Sequence, residues 1–364
     1  MVNVCTEYEN IIWNHNAIEV IVQKERSMNH RYNLQFNKLC STLKLGEVID
    51  KPEEISGGLL HRMFAVETTQ GKYAVKALNP QIMARPTALN NFINSEKIAN
   101  LVACSIPAQP AKSFVGHSIH CIDNQYYLVF DWNDGRSLYS SDLMPAHCMK
   151  IGSMLAMIHL TDASSLELNI ELPSIVQETD WRFYVQKGNE TNASWTKMLD
   201  EHIEQLMSWS KKVKQSSQVL ASDKVIGHRD LEPKNVMWIQ DKPLIIDWES
   251  AGFINPMHDL VETAIYWSKD NNDLVDKSKF LAFITGYQHH RRTLHADWRL
   301  ILEQGYLSKL YWLEYSLKRS LWIECSDEKE QQLGTEQVVA TLSALQRYHN
   351  TISELEAWLN EMNS

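Results

Sequence analysis

Polar and apolar residues change rhythm several times along the chain, and each change predicts an element. The alternating run His61 to Glu67, a Thr-Gln-Gly turn and the run Lys72 to Leu78 predict two strands that follow the Gly57-Gly58 pair. Leu89 to Val102 has the period of a helix. Residues 106 to 130 read as further strand ending in Gln125-Tyr-Tyr-Leu-Val-Phe130, and Asp131-Trp-Asn-Asp-Gly135 breaks the run. Helical spacing returns from Met144 to Leu160, where Met149, Ile151, Met154, Leu155 and Ile158 recur on one face. Val236 to Ile239 and Leu244 to Ile246 predict short strands about a turn at Gln240 to Pro243. From there to the end the spacing is helical, near 257 to 290, 298 to 324 and 336 to 362. Ahead of all this, Ile11, Ile12, Trp13, Ile18, Val20, Ile21 and Val22 among polar residues predict one helix or two short ones between 5 and 25.

Composition narrows the class. With 364 residues, 44% of them hydrophobic, the chain has apolar surface enough for about two domains. No uncharged apolar window reaches the roughly 18 residues a spanning helix needs, and the first thirty residues carry Glu7, Glu9, Glu19, Lys24, Glu25 and Arg26. A cytoplasmic protein that neither enters a membrane nor carries a secretory signal is expected. The six cysteines are scattered without a Cys-x-x-Cys pair, so buried thiols are expected rather than disulfides or a zinc site. Thirty-five basic against forty-five acidic residues leave a net charge of −10, which argues against nucleic acid as a partner and suits a cationic small molecule. No internal repeat is visible.

The chemistry concentrates between Ile226 and Leu260. Ile-Gly-His-Arg-Asp-Leu-Glu-Pro-Lys-Asn-Val-Met-Trp is followed by Pro-Leu-Ile-Ile-Asp-Trp-Glu-Ser-Ala-Gly and by Asn-Pro-Met-His-Asp-Leu. Asp230 is the candidate to take a proton from an attacking hydroxyl, and Asn235 and Asp247 are candidates to hold Mg²⁺ against a nucleotide's phosphates. Because the strands at 236 and 244 lie between them, both metal ligands should emerge beside one hairpin. Upstream, Lys76 lies inside the apolar strand Tyr-Ala-Val-Lys-Ala-Leu, where a charge is costly unless paired, and Glu96 follows twenty residues later in a helix. Gly57 and Gly58 would let backbone N–H groups approach phosphate oxygens. Phe130, Asp131 and Trp132 stand where a strand ends, so backbone groups there can read an adenine edge while the rings flank it. Alone, a Gly-Gly pair is a common turn and a strand lysine a common edge residue; the 226 to 260 segment turns both towards a nucleotide.

In their order, Gly57-Gly58, Tyr73-Ala-Val-Lys76, Glu96, Phe130 to Gly135, Ile151 to His159, Gly227 to Asn235, Ile245-Ile-Asp-Trp-Glu249 and Pro256-Met-His-Asp259-Leu resemble the aminoglycoside phosphotransferase and choline kinase superfamily. The resemblance spans roughly residues 45 to 290. It implies an α+β, protein kinase-like bilobal fold: a helical extension at 1–44, a small N-terminal lobe with an antiparallel sheet at 45–131, and a larger, mostly helical C-terminal lobe at 132–364. It also implies ATP between the lobes, Lys76 on its phosphates and paired to Glu96, Asp230 as base, and Mg²⁺ on Asn235 and Asp247. His228 and Asp259 match positions that brace the two loops, and Glu249 a position near a second metal or the substrate. Asp-Trp-Glu stands where protein kinases carry Asp-Phe-Gly. Two positions depart from the family: Arg229 where a small residue is usual, and Glu232 where a His or Lys is. A carboxylate at 232 would repel the transferring phosphate unless Lys234 or the metal supplies the positive charge.

The acceptor is read from the last helices. Tyr266, Trp267, Tyr287, Trp298, Tyr306, Tyr311, Trp312, Tyr315 and Trp322, with Glu262, Asp180, Glu314 and Glu324, suit an amino sugar or quaternary amine, although aromatics at helical spacing are more often core. Trp181 and Trp195, in a less periodic stretch, are the better pocket candidates. The expectation is therefore an ATP-dependent kinase acting on a hydroxyl of an aminoglycoside-like acceptor, as in antibiotic resistance, or of another aminated one. The alternatives are a choline/ethanolamine-type metabolite kinase and, motivated by Glu232, a non-catalytic nucleotide-binding module. A protein kinase is disfavoured because no Asp-Phe-Gly or Ala-Pro-Glu encloses an activation segment between 247 and 300.

Overall fold

The computed structural model describes residues 32–55, 60–168, 178–325 and 327–362. The predicted helix at 5 to 25 and the Gly57-Gly58 pair lie outside them. The described residues divide into two units, one holding residues up to Ala88 together with His120–Val129, the other Leu89–Ile119 and everything from Phe130 onward.

The first unit is built on a five-stranded sheet in the order β1-β2-β3-β5-β4, where β1 is Glu53–Ile55, β2 Arg62–Thr68, β3 Gly71–Ala77, β4 Ile119–Ile122 and β5 Gln125–Asp131. β1, β2 and β3 run antiparallel, and Thr69-Gln70 forms the turn between β2 and β3, with Thr68 opposite Gly71. Phe64, Val66, Val75, Ala77, Tyr127 and Val129 are buried along these strands, which is why β-branched and aromatic residues recur there. Where sequence predicts strand throughout 106 to 130, only β4 and β5 form. Pro107 and Pro110 interrupt the first half.

The second unit is mostly helical and carries the main core. Helix Pro145–Leu160 crosses helix Lys277–Gln288 at two glycines. A Cβ on Gly152 would lie 2.1 Å from the Phe283 carbonyl oxygen, and one on Gly286 would lie 2.0 Å from that of Met149. Only hydrogen lets these backbones approach so closely. The predicted helix at 257 to 290 is two, Pro256–Ser268 and Lys277–Gln288, because Asp270 folds its carboxylate back onto the N–H groups of Asn272 and Leu274. Likewise 298 to 324 divides at Gly305 into Trp298–Gln304 and Tyr306–Ser320. The last helix begins at Glu328, earlier than its periodicity shows, because Asp327 accepts from the Glu330 N–H and caps it. Helices Ala88–Val102, Trp181–Thr191, Thr196–Glu201 and Ile203–Leu220 and the short strand β6 (Arg136–Ser137) complete the unit.

Among the described residues no helix is long and apolar enough to cross a membrane. Among the described residues five cysteines are free thiols. Cys40 and Cys148 are buried as expected, but Cys104, in the turn after helix Ala88–Val102, and Cys121, on β4, are exposed.

Candidate active site

The 225 to 254 segment is a hairpin opened in both arms. Its outer rungs are β7 (Val225–Gly227) and β10 (Gly252–Ile254), paired antiparallel with Gly227 opposite Gly252. Its inner rungs are β8 (Val236–Ile239) and β9 (Lys242–Ile245), paired with Val236 opposite Ile245. Between the two ladders, residues 228–235 bulge from one arm and 246–251 from the other, so Asp230, Asn235 and Asp247 come from adjacent loops as the sequence predicts. The Ile246 N–H donates to the Asn235 carbonyl at 2.9 Å and ties the loops where they leave the inner ladder.

His228 ties them at the other end. Its Nδ1 accepts from the Asp230 N–H at 3.3 Å, so the proton lies on Nε2, which donates to the Ile246 carbonyl at 3.0 Å. The ring is wholly buried and packs on Trp248, with centroids 4.6 Å apart. Burial lowers its pKa against the pull of the Ile246 carbonyl and of Asp247, Asp259 and Glu249, and keeps it neutral. Arg229 and Asp247 both sit in the left-handed region, at φ 64° and 61°. Such strain, of order 1–3 kcal/mol per residue, persists only where surrounding bonds over-determine it.

Asn235 fixes Asp230. Its Nδ2 donates to Asp230 Oδ2 at 2.9 Å and to the Asp230 carbonyl at 2.8 Å, holding side chain and backbone together. Burial pushes the Asp230 carboxyl up to about 7; Lys234 pulls it back, Glu232 and Asp247 push it further, and the Asn235 bond again lowers it. Lys234 Nζ stands 3.8 Å from Asp230 Oδ1 and 3.3 Å from Glu232 Oε2. Burial works against its charge, but Glu232 and Asp230 outweigh that and raise its pKa.

Beneath the loops, helix Pro256–Ser268 is anchored at its start by Asn255, whose Oδ1 accepts from the N–H groups of Met257 and His258. It carries Asp259, whose Oδ2 accepts from buried His159 Nε2 at 2.9 Å; His159 Nδ1 in turn meets the Tyr287 hydroxyl at 2.8 Å. A Cβ on Gly227 would lie 2.5 Å from that same Oδ2, so the strand entering the loop rests on the Asp259 carboxylate. Near the end of this helix, Trp267 Nε1 donates to the Leu231 carbonyl at 2.8 Å.

The remaining candidates are placed as follows. Lys76, on β3 opposite Met63, is 4% exposed in the first unit. Glu96, on helix Ala88–Val102 of the second, is buried and accepts from the Ala111 N–H at 2.8 Å. Phe130, Asp131 and Trp132 follow the core of β5: the Asp131 carbonyl accepts from Gln109 Nε2, its carboxylate pairs with Lys112, and Trp132 Nε1 donates to Asp134. Trp181 and Trp195 are not pocket residues. Both are buried in the core, with their indole N–H groups on Ser210 and Ser320, because the helices that sequence periodicity did not reveal close over them. Trp267, Tyr287, Trp298 and Tyr306 are core as well, whereas Tyr311 and Trp322 are exposed. Asp180 caps a helix. Glu262 accepts from the Tyr266 and Ser308 hydroxyls and lies 3.9 Å from Lys309 Nζ, a lysine that polarity alone would have put in solvent. Among the described residues no three or more His, Cys, Asp or Glu gather as a metal site.

A nested hairpin holding a clamped carboxylate, joined to a helical body and an antiparallel sheet, defines the phosphotransferase class of the protein kinase-like fold. The chain belongs to the Phosphotransferase enzyme family, whose sequence profile matches residues 51–294. It is 24% identical over 290 residues to the homoserine kinase of Methylobacillus flagellatus, covering 76% of this chain and 85% of that one. The fold is similar to that of a spectinomycin phosphotransferase determined with ADP and spectinomycin (TM-score 0.64, 12% identity, 87% of this chain and 100% of that one). It is also similar to a choline kinase of Cryptosporidium parvum (TM-score 0.57, 13% identity, 90% and 98%).

Proposed function

We propose that this protein is an ATP-dependent small-molecule kinase that transfers the γ-phosphoryl group to a hydroxyl of an aminated acceptor. The observation that carries the reading is the Asp230 carboxylate held by the Asn235 amide at 2.9 Å, with burial setting it near neutrality. A base tuned to about the working pH is the one best matched to accepting a proton in the transition state. As the acceptor oxygen bonds to phosphorus, its proton passes to Asp230, the bond to the bridging oxygen breaks, and ADP leaves with the electron pair.

Mg²⁺ fits the donors present. With its nitrogen engaged on Asp230, the Asn235 amide leaves its oxygen available, Asp247 comes from the adjoining loop, and Mg²⁺ takes one or two protein oxygens plus water and phosphates rather than a full protein cage. Bound there, the ion would neutralise phosphate charge. Lys76 would hold the phosphates with Glu96 as its counter-charge, Gly57 and Gly58 would approach them, and Phe130, Asp131 and Trp132 would receive the adenine. The acceptors named for the relatives, homoserine, choline and spectinomycin, each join a hydroxyl to an amino or ammonium nitrogen; homoserine is a zwitterion, and the net charge of −10 favours the cationic ones. The non-catalytic alternative rested on Glu232, whose charge Lys234 offsets at 3.3 Å.

The test is ADP release and product mass with Mg-ATP and a panel of L-homoserine, choline, ethanolamine and spectinomycin. Turnover with at least one is expected, and Asp230→Ala should lower kcat roughly 10²–10⁴-fold while Mg-ATP affinity stays nearly intact. No release with any acceptor, alongside a melting temperature that ATP raises, would favour the non-catalytic module instead.

A further inference from the structure

The loop at 228–235 and Asp247 beside it gather three carboxylates around one ammonium. Glu232 and Asp247 both act on the Asp230 carboxylate, and all three act on Lys234, the ammonium among them. A transferring phosphoryl group would add further negative charge to this cluster, and catalysis of that transfer relies on cations aimed at the equatorial oxygens. Arg229 does not serve, because its guanidinium packs against Gly252, with Nη1 2.7 Å from where a Cβ would sit.

Lys234 has the geometry to serve. Its backbone is held at both ends: the Asn235 N–H donates to the Glu232 carbonyl at 2.9 Å, and Ser137 Oγ donates to the Lys234 carbonyl at 2.9 Å. Its side chain is 49% exposed and rests between two carboxylates at 3.3 and 3.8 Å, both longer than a contact ion pair of about 2.8 Å. Glu232 is the nearer partner and hydrogen-bonds the ammonium, but at a length that leaves it loosely held and half exposed.

We infer that Lys234 is a catalytic residue whose ammonium swings from Glu232 onto the transferring phosphoryl group, with Glu232 parking it beside Asp230 until the phosphate arrives. This rests on the kinase reading above. The lysine exchanges no proton: the acceptor's proton still goes to Asp230 and the electron pair still leaves with ADP. Glu232, which by sequence opposes the reaction, thereby becomes the holder of the cation that assists it.

Aluminium fluoride with Mg-ADP tests this without any acceptor, since the planar fluoride imitates the transferring group. Titration calorimetry on the full chain should show wild-type protein binding Mg-ADP about a hundredfold more tightly when aluminium fluoride is added. Lys234→Met should bind Mg-ADP alone as the wild type does, keep its melting temperature, and shrink that gain to within about threefold. Lys234→Arg and Glu232→Gln should both retain the gain, which a merely structural ion pair would not predict. An undiminished gain in Lys234→Met, or no gain in a wild type that binds Mg-ADP, would overturn the inference and leave the kinase reading standing. A wild type that does not bind Mg-ADP would sink both.

Discussion

Replacing Gly152 by alanine should destabilise the protein, although alanine is the better helix former. At an ideal Cβ the new methyl lies 2.1 Å from the Phe283 oxygen, 3.0 Å from its carbon and 3.2 Å from the Tyr287 nitrogen. Ordinary contact begins near 3.5 Å, so helices Pro145–Leu160 and Lys277–Gln288 must part by roughly 1 Å. All three obstacles are backbone atoms, which no rotamer change can move aside. Overpacking of this kind costs about 1–3 kcal/mol, and parting also loosens Ile151, Leu155, Phe283 and Ile284, which are fully buried at the crossing. Alanine's helix propensity returns about 1 kcal/mol. With the loosened contacts, a net loss of about 1–2 kcal/mol remains, or some 1–3 °C in melting temperature for a chain of this length if the transition is two-state. Urea unfolding followed by circular dichroism would measure it as a lower midpoint at unchanged m. Gly286→Ala should behave alike, and the double variant should lose less than the two together, because the first separation makes room for the second methyl. A Gly152→Ala protein as stable as the wild type, or more stable by the propensity gain, would refute the reasoning.

Two further outcomes follow from the site. Burial holds His228 and His258 below the ordinary histidine range, so each stays neutral when folded, while the unfolded imidazole gains a proton near pH 6.5. The unfolded state then binds more protons; stability is full above about pH 6.5 and declines as pH falls, with a limiting slope of about 1.4 kcal/mol per pH unit for each histidine. Urea midpoints between pH 7.5 and 5 would show the decline, and His258→Gln, whose parent ring leaves Nε2 buried without a hydrogen bond and 3.8 Å from Glu262 Oε2, should flatten it; an unaltered slope would count against this account. Separately, Gly227→Ala would drive its methyl against Asp259 Oδ2 and loosen the His159 bond, lowering both melting temperature and kcat; a variant with wild-type values for both would show that the strand does not rest on that carboxylate.

Where local chemistry decides structure, the chain was legible. Alternation revealed β2, β3 and the strands at 236 and 244, and the spacing from Asp230 to Asp247 foretold two loops beside one hairpin. Its turn is tighter than expected because Pro243, which reads as a turn residue, sits inside β9, an edge strand that tolerates a missing N–H. Long-range contacts were not legible. Nothing near Gly152 in sequence signals that its neighbour is a backbone 131 residues away, and nothing near Trp267 signals the Leu231 carbonyl. The aromatic readings failed at Trp181 and Trp195 for the same reason: irregular periodicity suggested exposure, but burial there is set by helices packing from elsewhere in the chain. Glu262 was visible as a charge, yet its hydroxyl donors and Lys309 come from a different helix.

The imidazole of His228 works as a strut, pushing on one loop and pulling on the other through opposite edges of a rigid ring. With the Ile246 to Asn235 bond at the far end, it makes the proposed base and the proposed metal ligand parts of one mechanical body. Such a body moves as a whole or not at all, so the chemistry cannot be retuned by sliding one loop past the other. Diversification is thereby left to surfaces the strut does not touch, where substitutions can accumulate without disturbing the registry of the two loops.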